Sequence, residues 1–121
     1  DYGYEIQKNQ NTLQSIMNHK YNNLADNIGK ADITSLINFG LYKRYFSSKN
    51  LHVENILTQS EFLQKMGIVD RFNIVSKKMN LSEKSNLYSR LKRLIDPNMM
   101  GKNFKVIFAK NKKCNFTLAF K

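Results

Sequence analysis

The side chains able to do chemistry gather near the start of the chain, in a run too polar for a buried strand and too broken in period for one helix. Asp1-Tyr2-Gly3 opens it: an acid, an aromatic and a glycine that can take φ > 0, the pattern expected where a strand's carboxyl end spills into a loop. From Thr12 to Phe39 come three spaced clusters, Thr12-Leu13-Gln14, His19 with Tyr21, and Ala31-Asp32-Ile33-Thr34. Such groups, held on loops, would suit a site. The Asp1 carboxylate could orient a cation through charge-assisted hydrogen bonds, and His19 could accept a proton or hydrogen-bond an acceptor. Plainer roles compete: a loop acid for Asp1, a solvated imidazole for His19, and turn capping for Asp32 and Thr34. His19 and Asp26 lack a second histidine nearby and match no metal spacing, so no metal is expected.

The elements that must position these groups follow in order. The polar run Glu5 to Asn11 and the Asn- and Gly-containing stretch Asn22 to Lys30 read as loops. A helix is expected from about Asn38 to Ser48, with Leu41, Tyr42, Tyr45 and Phe46 facing the core. Leu51 to Leu57 reads as a short strand, parallel by the handedness of crossovers. Thr58-Gln59-Ser60-Glu61 fits a capping box that starts a helix at Ser60, and Gly67 is placed to stop it in the left-handed conformation. Ile68, Phe72, Val75 and Met79 recur at helical spacing. Ser82 can cap a further helix, striped by Leu87, Tyr88, Leu91, Leu94 and Ile95 and ended by Pro97. These last two helices read as a packed pair with a core stripe. Phe104 to Ala109 and Asn115 to Phe120 read as two strands of a final antiparallel hairpin.

At 121 residues the chain has room for one small domain and one sheet. The net charge of +11 comes from sixteen Lys and four Arg against nine acids. Such a field can attract nucleic acid or anionic lipid. Sixteen Asn accompany the Lys excess, the pattern of an AT-rich coding bias, so nucleic acid is not the expected partner. The Phe residues near the end alternate as core residues do, and the glycine-containing RNA-binding sheet pattern is missing. Cys114 stands alone, so no intrachain disulfide can form, and no neighbouring His or Asp activates it. No apolar run is long enough for a membrane span. The chain begins at Asp1, and targeting cannot be read from it.

The order Asp1-Tyr2-Gly3, Thr12-Leu13-Gln14, His19, Ala31-Asp32-x-Thr34 and x-Phe39 resembles the MidA-like family of S-adenosylmethionine-dependent methyltransferases. The resemblance continues through Thr58-Gln59-Ser60-Glu61-Phe62-Leu63, Met66-Gly67-Ile68, Met100-Gly101 and Phe104-Lys105, over about 105 residues. That family includes the mitochondrial enzyme that methylates an arginine of a core subunit of respiratory complex I. The resemblance implies an α/β fold: the carboxyl-terminal half of a Rossmann-like class I methyltransferase sheet, with an inserted helix pair and a final antiparallel β-hairpin. Residues 1–37 would form active-site loops and 38–121 the helices and last strands. It further implies methyl transfer from S-adenosylmethionine to a protein side chain, arginine of a complex I subunit. Asp1 and His19 would serve the catalysis, and Tyr2, Gly3, Thr12, Asp32 and Thr34 would line the acceptor pocket, with Asp1 orienting a guanidinium. No GxGxxG or GxG occurs, so the main cofactor site would lie in an amino-terminal half outside this chain. The location would be cytoplasmic, or the mitochondrial matrix in a eukaryote. The competing class is a non-catalytic basic module that binds nucleic acid or serves assembly.

Overall fold

The structure, a computed structural model, describes residues 1–6 and 11–120. The polar run expected as a loop from Glu5 to Asn11 falls mostly outside the described residues. In chain order the elements are β1 (Gly3–Tyr4), β2 (Gln14–Met17), β3 (Lys20–Asn22), β4 (Asp32–Thr34), β5 (Ile37–Asn38), α1 (Phe39–Ser48), β6 (Leu51–Val53), β7 (Leu57–Thr58), α2 (Gln59–Lys65), α3 (Ile68–Ser76), α4 (Leu81–Ile95), β8 (Lys105–Val106) and β9 (Ala109–Asn111). This is an α/β fold.

The stretch Thr12 to Phe39, expected as loops, holds a three-stranded sheet, while the part from Asn23 to Ala31 is the loop expected there. β2 pairs antiparallel with β3 on one side and β4 on the other. The turn between β2 and β3 holds Asn18 and His19 at φ 50° and 62°, the two left-handed residues of a type I′ hairpin turn. Asp32 and Thr34 therefore sit in a strand, opposite Ile16 and Gln14, and cap no turn. Ser15, on the central strand, is 1% exposed, while Ile33 and Tyr21 face outward. A sheet that buries a serine and exposes its large side chains carries no apolar alternation, which is why its strands read as loops.

β1 pairs parallel with β5, so the small sheet serves as the crossover between two parallel strands. The other edge of the opening segment meets the far end of the chain. Tyr2 bridges Phe104 antiparallel, and Asp1 and Lys105 exchange backbone bonds of 3.0 and 2.8 Å.

β6 and β7 are antiparallel to β9 and β8, which corrects the parallel strand expected at Leu51 to Leu57. The segment at Asp1 pairs with Phe104 and Lys105 and not with this strand. Val53 faces Ala109 and Leu57 faces Val106, so four steps on one strand match three on the other. The extra residue is a bulge that splits one ribbon into two short ladders. The second strand of the expected final hairpin does not form. Residues 115–120 are irregular and pack through rings: Phe120 lies 5.2 Å and Phe116 5.9 Å from Phe108, and Phe62 5.9 Å from Phe120.

The helices follow their end signals closely. α1 is capped by Asn38, whose side chain accepts from the Leu41 amide at 2.9 Å. The face it buries is Phe39 and Gly40, however; Leu41, Tyr42 and Tyr45 are exposed. The capping box of Thr58 and Glu61 is present and starts α2 at Gln59, one residue earlier than expected. Gly67 takes φ 80° at the α2–α3 junction. α4 is capped by Asn80 with Glu83 rather than by Ser82. Asn80 wins because its partner acid stands three residues on, which closes the reciprocal box. α3 and α4 pack as a pair, with Phe72 and Tyr88 edge to face at 6.2 Å. Leu91 is buried, but Tyr88 and Leu94 remain open, so the stripe is only half covered.

Candidate functional site

Motif segments far apart in the chain meet at one junction. Its centre is the extended segment Asp1 to Tyr4, held on one edge by β5 and on the other by Phe104 and Lys105. The Tyr2 carbonyl accepts from the Ile37 amide at 2.9 Å, and the Tyr2 ring lies 4.1 Å from that of Phe104. The Phe104 carbonyl accepts from Gln59 at 2.9 Å, and the Gly101 carbonyl from Ser60 at 2.9 Å. The start of α2 is thereby tied to the segment that holds Asp1.

Two of the three glycines demanded by close approach, Gly3 and Gly101, stand at this junction. A Cβ on Gly3 would stand 2.2 Å from the Ile37 carbonyl oxygen and 2.6 Å from the Phe39 ring. Its φ is not positive, so Gly3 serves packing and not the turn expected of it. A Cβ on Gly101 would stand 2.5 Å from the Ile95 oxygen. Beside it, Ser60 donates to that same oxygen at 2.7 Å and Gln59 to the Leu94 oxygen at 2.9 Å. The last carbonyls of α4, which no helical amide can reach, are thus satisfied by the start of α2. The Glu61 carboxyl is held below its ordinary range by hydrogen bonds from the Thr58 amide and hydroxyl.

The proposed site residues divide by position. Asp1 is exposed, and its Oδ1 accepts from the Tyr2 amide at 2.7 Å. Thr12 Oγ1 accepts from the Leu36 amide at 3.2 Å, and Leu36 adjoins the β5 residue paired with Gly3. Thr34, two residues before Leu36, is paired with Gln14. Backbone pairing and the Thr12 hydroxyl therefore link Asp1, Tyr2, Gly3, Thr12 and Thr34 in one neighbourhood, with Asp32 further along β4. His19 lies at the opposite end of the ladder, about 14 Å of strand from Gln14. It is exposed at the hairpin tip, where its positive φ is a structural task.

Phe104 and Lys105, the backbone partners of Tyr2 and Asp1, went unrecognised as site neighbours. Their only signal in the sequence was their place in the recurring motifs, because pairing across 104 residues leaves no local pattern. A second polar cluster lies away from this junction. Lys110 Nζ is 2.7 Å from Glu54, with the two side chains 9% and 16% exposed, and His52 is 3.4 Å from the same carboxylate. Lys110 also donates to the Phe116 carbonyl at 3.0 Å. Its hydrogen bond to Glu54, aided by its charge and His52, holds that carboxyl below its ordinary range. This cluster pins the irregular end of the chain to the ribbon.

Among the described residues no three His, Cys, Asp or Glu side chains gather as a metal site would need, and no helix is long and apolar enough to cross a membrane. No glycine forms an open cradle between a strand and a helix. Gly3, Gly40 and Gly101 lie against carbonyls of this same chain, Gly67 joins two helices, and Gly29 sits in an exposed turn.

Comparison with known proteins converges with this geometry. Residues 1–57 match the profile of a family described as "Putative S-adenosyl-L-methionine-dependent methyltransferase". The chain is 28% identical over 104 residues to the mitochondrial protein arginine methyltransferase NDUFAF7 of Danio rerio, a match covering 86% of this chain and 24% of the relative. Two crystal structures of superfamily proteins from Burkholderia thailandensis share its fold, each 22% identical and covering 98% of this chain. The first, a native structure, has a TM-score of 0.80 and is covered over 33% of its length. The second, bound to S-adenosyl-homocysteine, has a TM-score of 0.78 and is covered over 32%. The chain thus spans a quarter to a third of the proteins it matches. In its motif order, in its profile match over residues 1–57 and in its fold, the chain is similar to the MidA-like S-adenosylmethionine-dependent methyltransferases.

Proposed function

We propose that this chain is the acceptor-side part of a protein arginine methyltransferase, the carboxyl-terminal portion of a Rossmann-like class I sheet. The observation that carries this reading is the placement of Asp1. It is an exposed carboxylate at the head of a segment paired on both edges, with Thr12 and Thr34 tied to the neighbouring strand. A carboxylate there binds a guanidinium through charge-assisted hydrogen bonds and leaves one nitrogen directed at the donor. The arginine substrate is supported by the Danio rerio relative, whose printed name is that of a protein arginine methyltransferase.

When bound, S-adenosylmethionine supplies the electrophilic methyl group. The residues of this chain do not fit its main cradle, because every crowded glycine is filled by the chain's own backbone. The contribution of this chain is to position the acceptor and to complete the sheet. Surface area favours a further part that covers it. A self-contained domain of this mass exposes about 6,800 Å², whereas this chain exposes 9443 Å². Among the described residues the buried apolar side chains are few, Phe39, Leu57, Leu91 and Ala119.

The test is methyl transfer by the full-length protein from labelled S-adenosylmethionine to candidate protein substrates, with the modified residue located by mass spectrometry. Label on arginine supports the reading. Label on another residue type removes the arginine assignment, and no transfer to any protein removes the protein-methyltransferase reading.

A further inference from the structure

We infer that the groove between α3 and α4 is a docking site for an acidic amphipathic helix of a partner protein. One wall is Ile68, Phe72 and Val75 and the other is Leu87, Leu91 and Leu94, enclosing about 280 Å³. Each wall repeats at i, i+4 and i+7, so the pair presents two helical ridges with a channel between them. A third helix is the shape that fills such a channel. The apolar floor is open, with Val75 41% and Leu94 36% exposed.

The rims supply the charge. Arg71 and Arg90 line the groove and are exposed, and among the described residues neither guanidinium has an ion pair or hydrogen bond. From Ile68 to Asp96 there are seven basic and three acidic side chains. A guanidinium fork accepts a carboxylate in bidentate geometry, which suits Glu or Asp on both flanks of a bound helix. A second copy of this chain is a poor occupant. Pairing the same face with itself would set Arg against Arg, a like-charge contact that disfavours association.

Fluorescence anisotropy of the full-length protein tests this with two labelled synthetic helices. One carries a leucine stripe flanked by glutamates, and the other has lysines in place of those glutamates. The glutamate peptide is expected to bind with a Kd of about 1–100 µM, and the lysine peptide at least about tenfold more weakly. The double variant Arg71→Glu/Arg90→Glu, at exposed positions, should reverse that order, and Val75→Glu should weaken the glutamate peptide about tenfold or more. Circular dichroism and melting confirm that the variants fold. Three outcomes overturn the inference: no binding of the glutamate peptide, binding indifferent to the charge reversal, or a Val75→Cys variant that a thiol reagent cannot label because other polypeptide fills the groove. A fourth, concentration-dependent dimerisation abolished by Val75→Glu, would overturn it in favour of self-pairing.

Discussion

Replacing Gly3 with alanine adds one methyl group where three heavy atoms already stand. The new Cβ would meet the Ile37 oxygen at 2.2 Å and two Phe39 ring carbons at 2.6 and 2.7 Å. A ring can rotate, but the oxygen is backbone. It cannot retreat without disturbing the parallel register Gly3↔Ile37 and the bond from the Ile37 amide to the Tyr2 carbonyl. Overpacking of this kind costs about 1–3 kcal/mol, and one backbone hydrogen bond weakened contributes about 1 kcal/mol more. The expected loss is therefore roughly 2–4 kcal/mol, which lowers the melting temperature by about 4–16 °C for a cooperative unit of about 150–250 residues. Urea unfolding of the full-length protein, wild type against Gly3→Ala, measures it. A loss below about 0.5 kcal/mol with an unchanged m-value would refute the close-approach reasoning.

Ser60→Ala removes the donor to the Ile95 carbonyl and the acceptor of Gln64, at a site only 7% exposed; urea midpoints should show a loss of about 1–2 kcal/mol, and a neutral result would mean that α2 and α4 are not tied there. Glu54 and Glu61 both have carboxyl groups lowered from the ordinary 4.5. Their stabilisation is present above the unfolded value and lost as pH falls through the folded one, so acid should destabilise the protein below about pH 4.5. Glu54→Gln should flatten part of that fall, and parallel stability curves for the two proteins would contradict it. Isothermal titration of residues 1–121 alone should detect no S-adenosylmethionine binding, whereas micromolar affinity would place the cofactor cradle within this chain.

What could be read from the sequence was what neighbouring residues decide. Thr58 and Glu61 announce a helix start because the two groups bond each other within one turn, and Gly67 and Pro97 mark ends by backbone geometry alone. Asn80 was missed for Ser82 because both residues can cap and only the partner Glu83 discriminates. The sheet around β2 was illegible, since Ser15 is its buried residue and Ile33 lies exposed. The antiparallel partner of Leu51–Val53 was illegible for another reason: Ala109–Asn111 is nearly sixty residues away, and a bulge breaks the pattern between. Phe116 and Phe120 have the spacing of side chains that can share a neighbour, yet the alternation of the Phe residues near the end suggested a strand. Both rings instead pack on Phe108, and Lys110 donates to the Phe116 carbonyl. For the site, the early motif was legible as a carboxylate near a strand end, but not its pairing with Lys105. The hairpin geometry leaves His19 a turn residue first, and any catalytic part for it is a separate proposal.

The central claim is that Asp1 orients the methyl acceptor, and it is tested most directly by Asp1→Asn in the full-length protein. The substitution keeps the shape of the side chain and removes its charge. Asn can still accept from the Tyr2 amide as Asp1 does, so folding should be preserved. A charge-assisted hydrogen bond is worth about 1.5–3 kcal/mol, or roughly 10- to 150-fold in rate. Methyl transfer to the protein acceptor should therefore fall by about 10- to 150-fold while S-adenosylmethionine affinity and melting temperature stay as they were. Unchanged turnover, or a loss of turnover matched by earlier melting, would contradict the claim and leave Asp1 a structural residue.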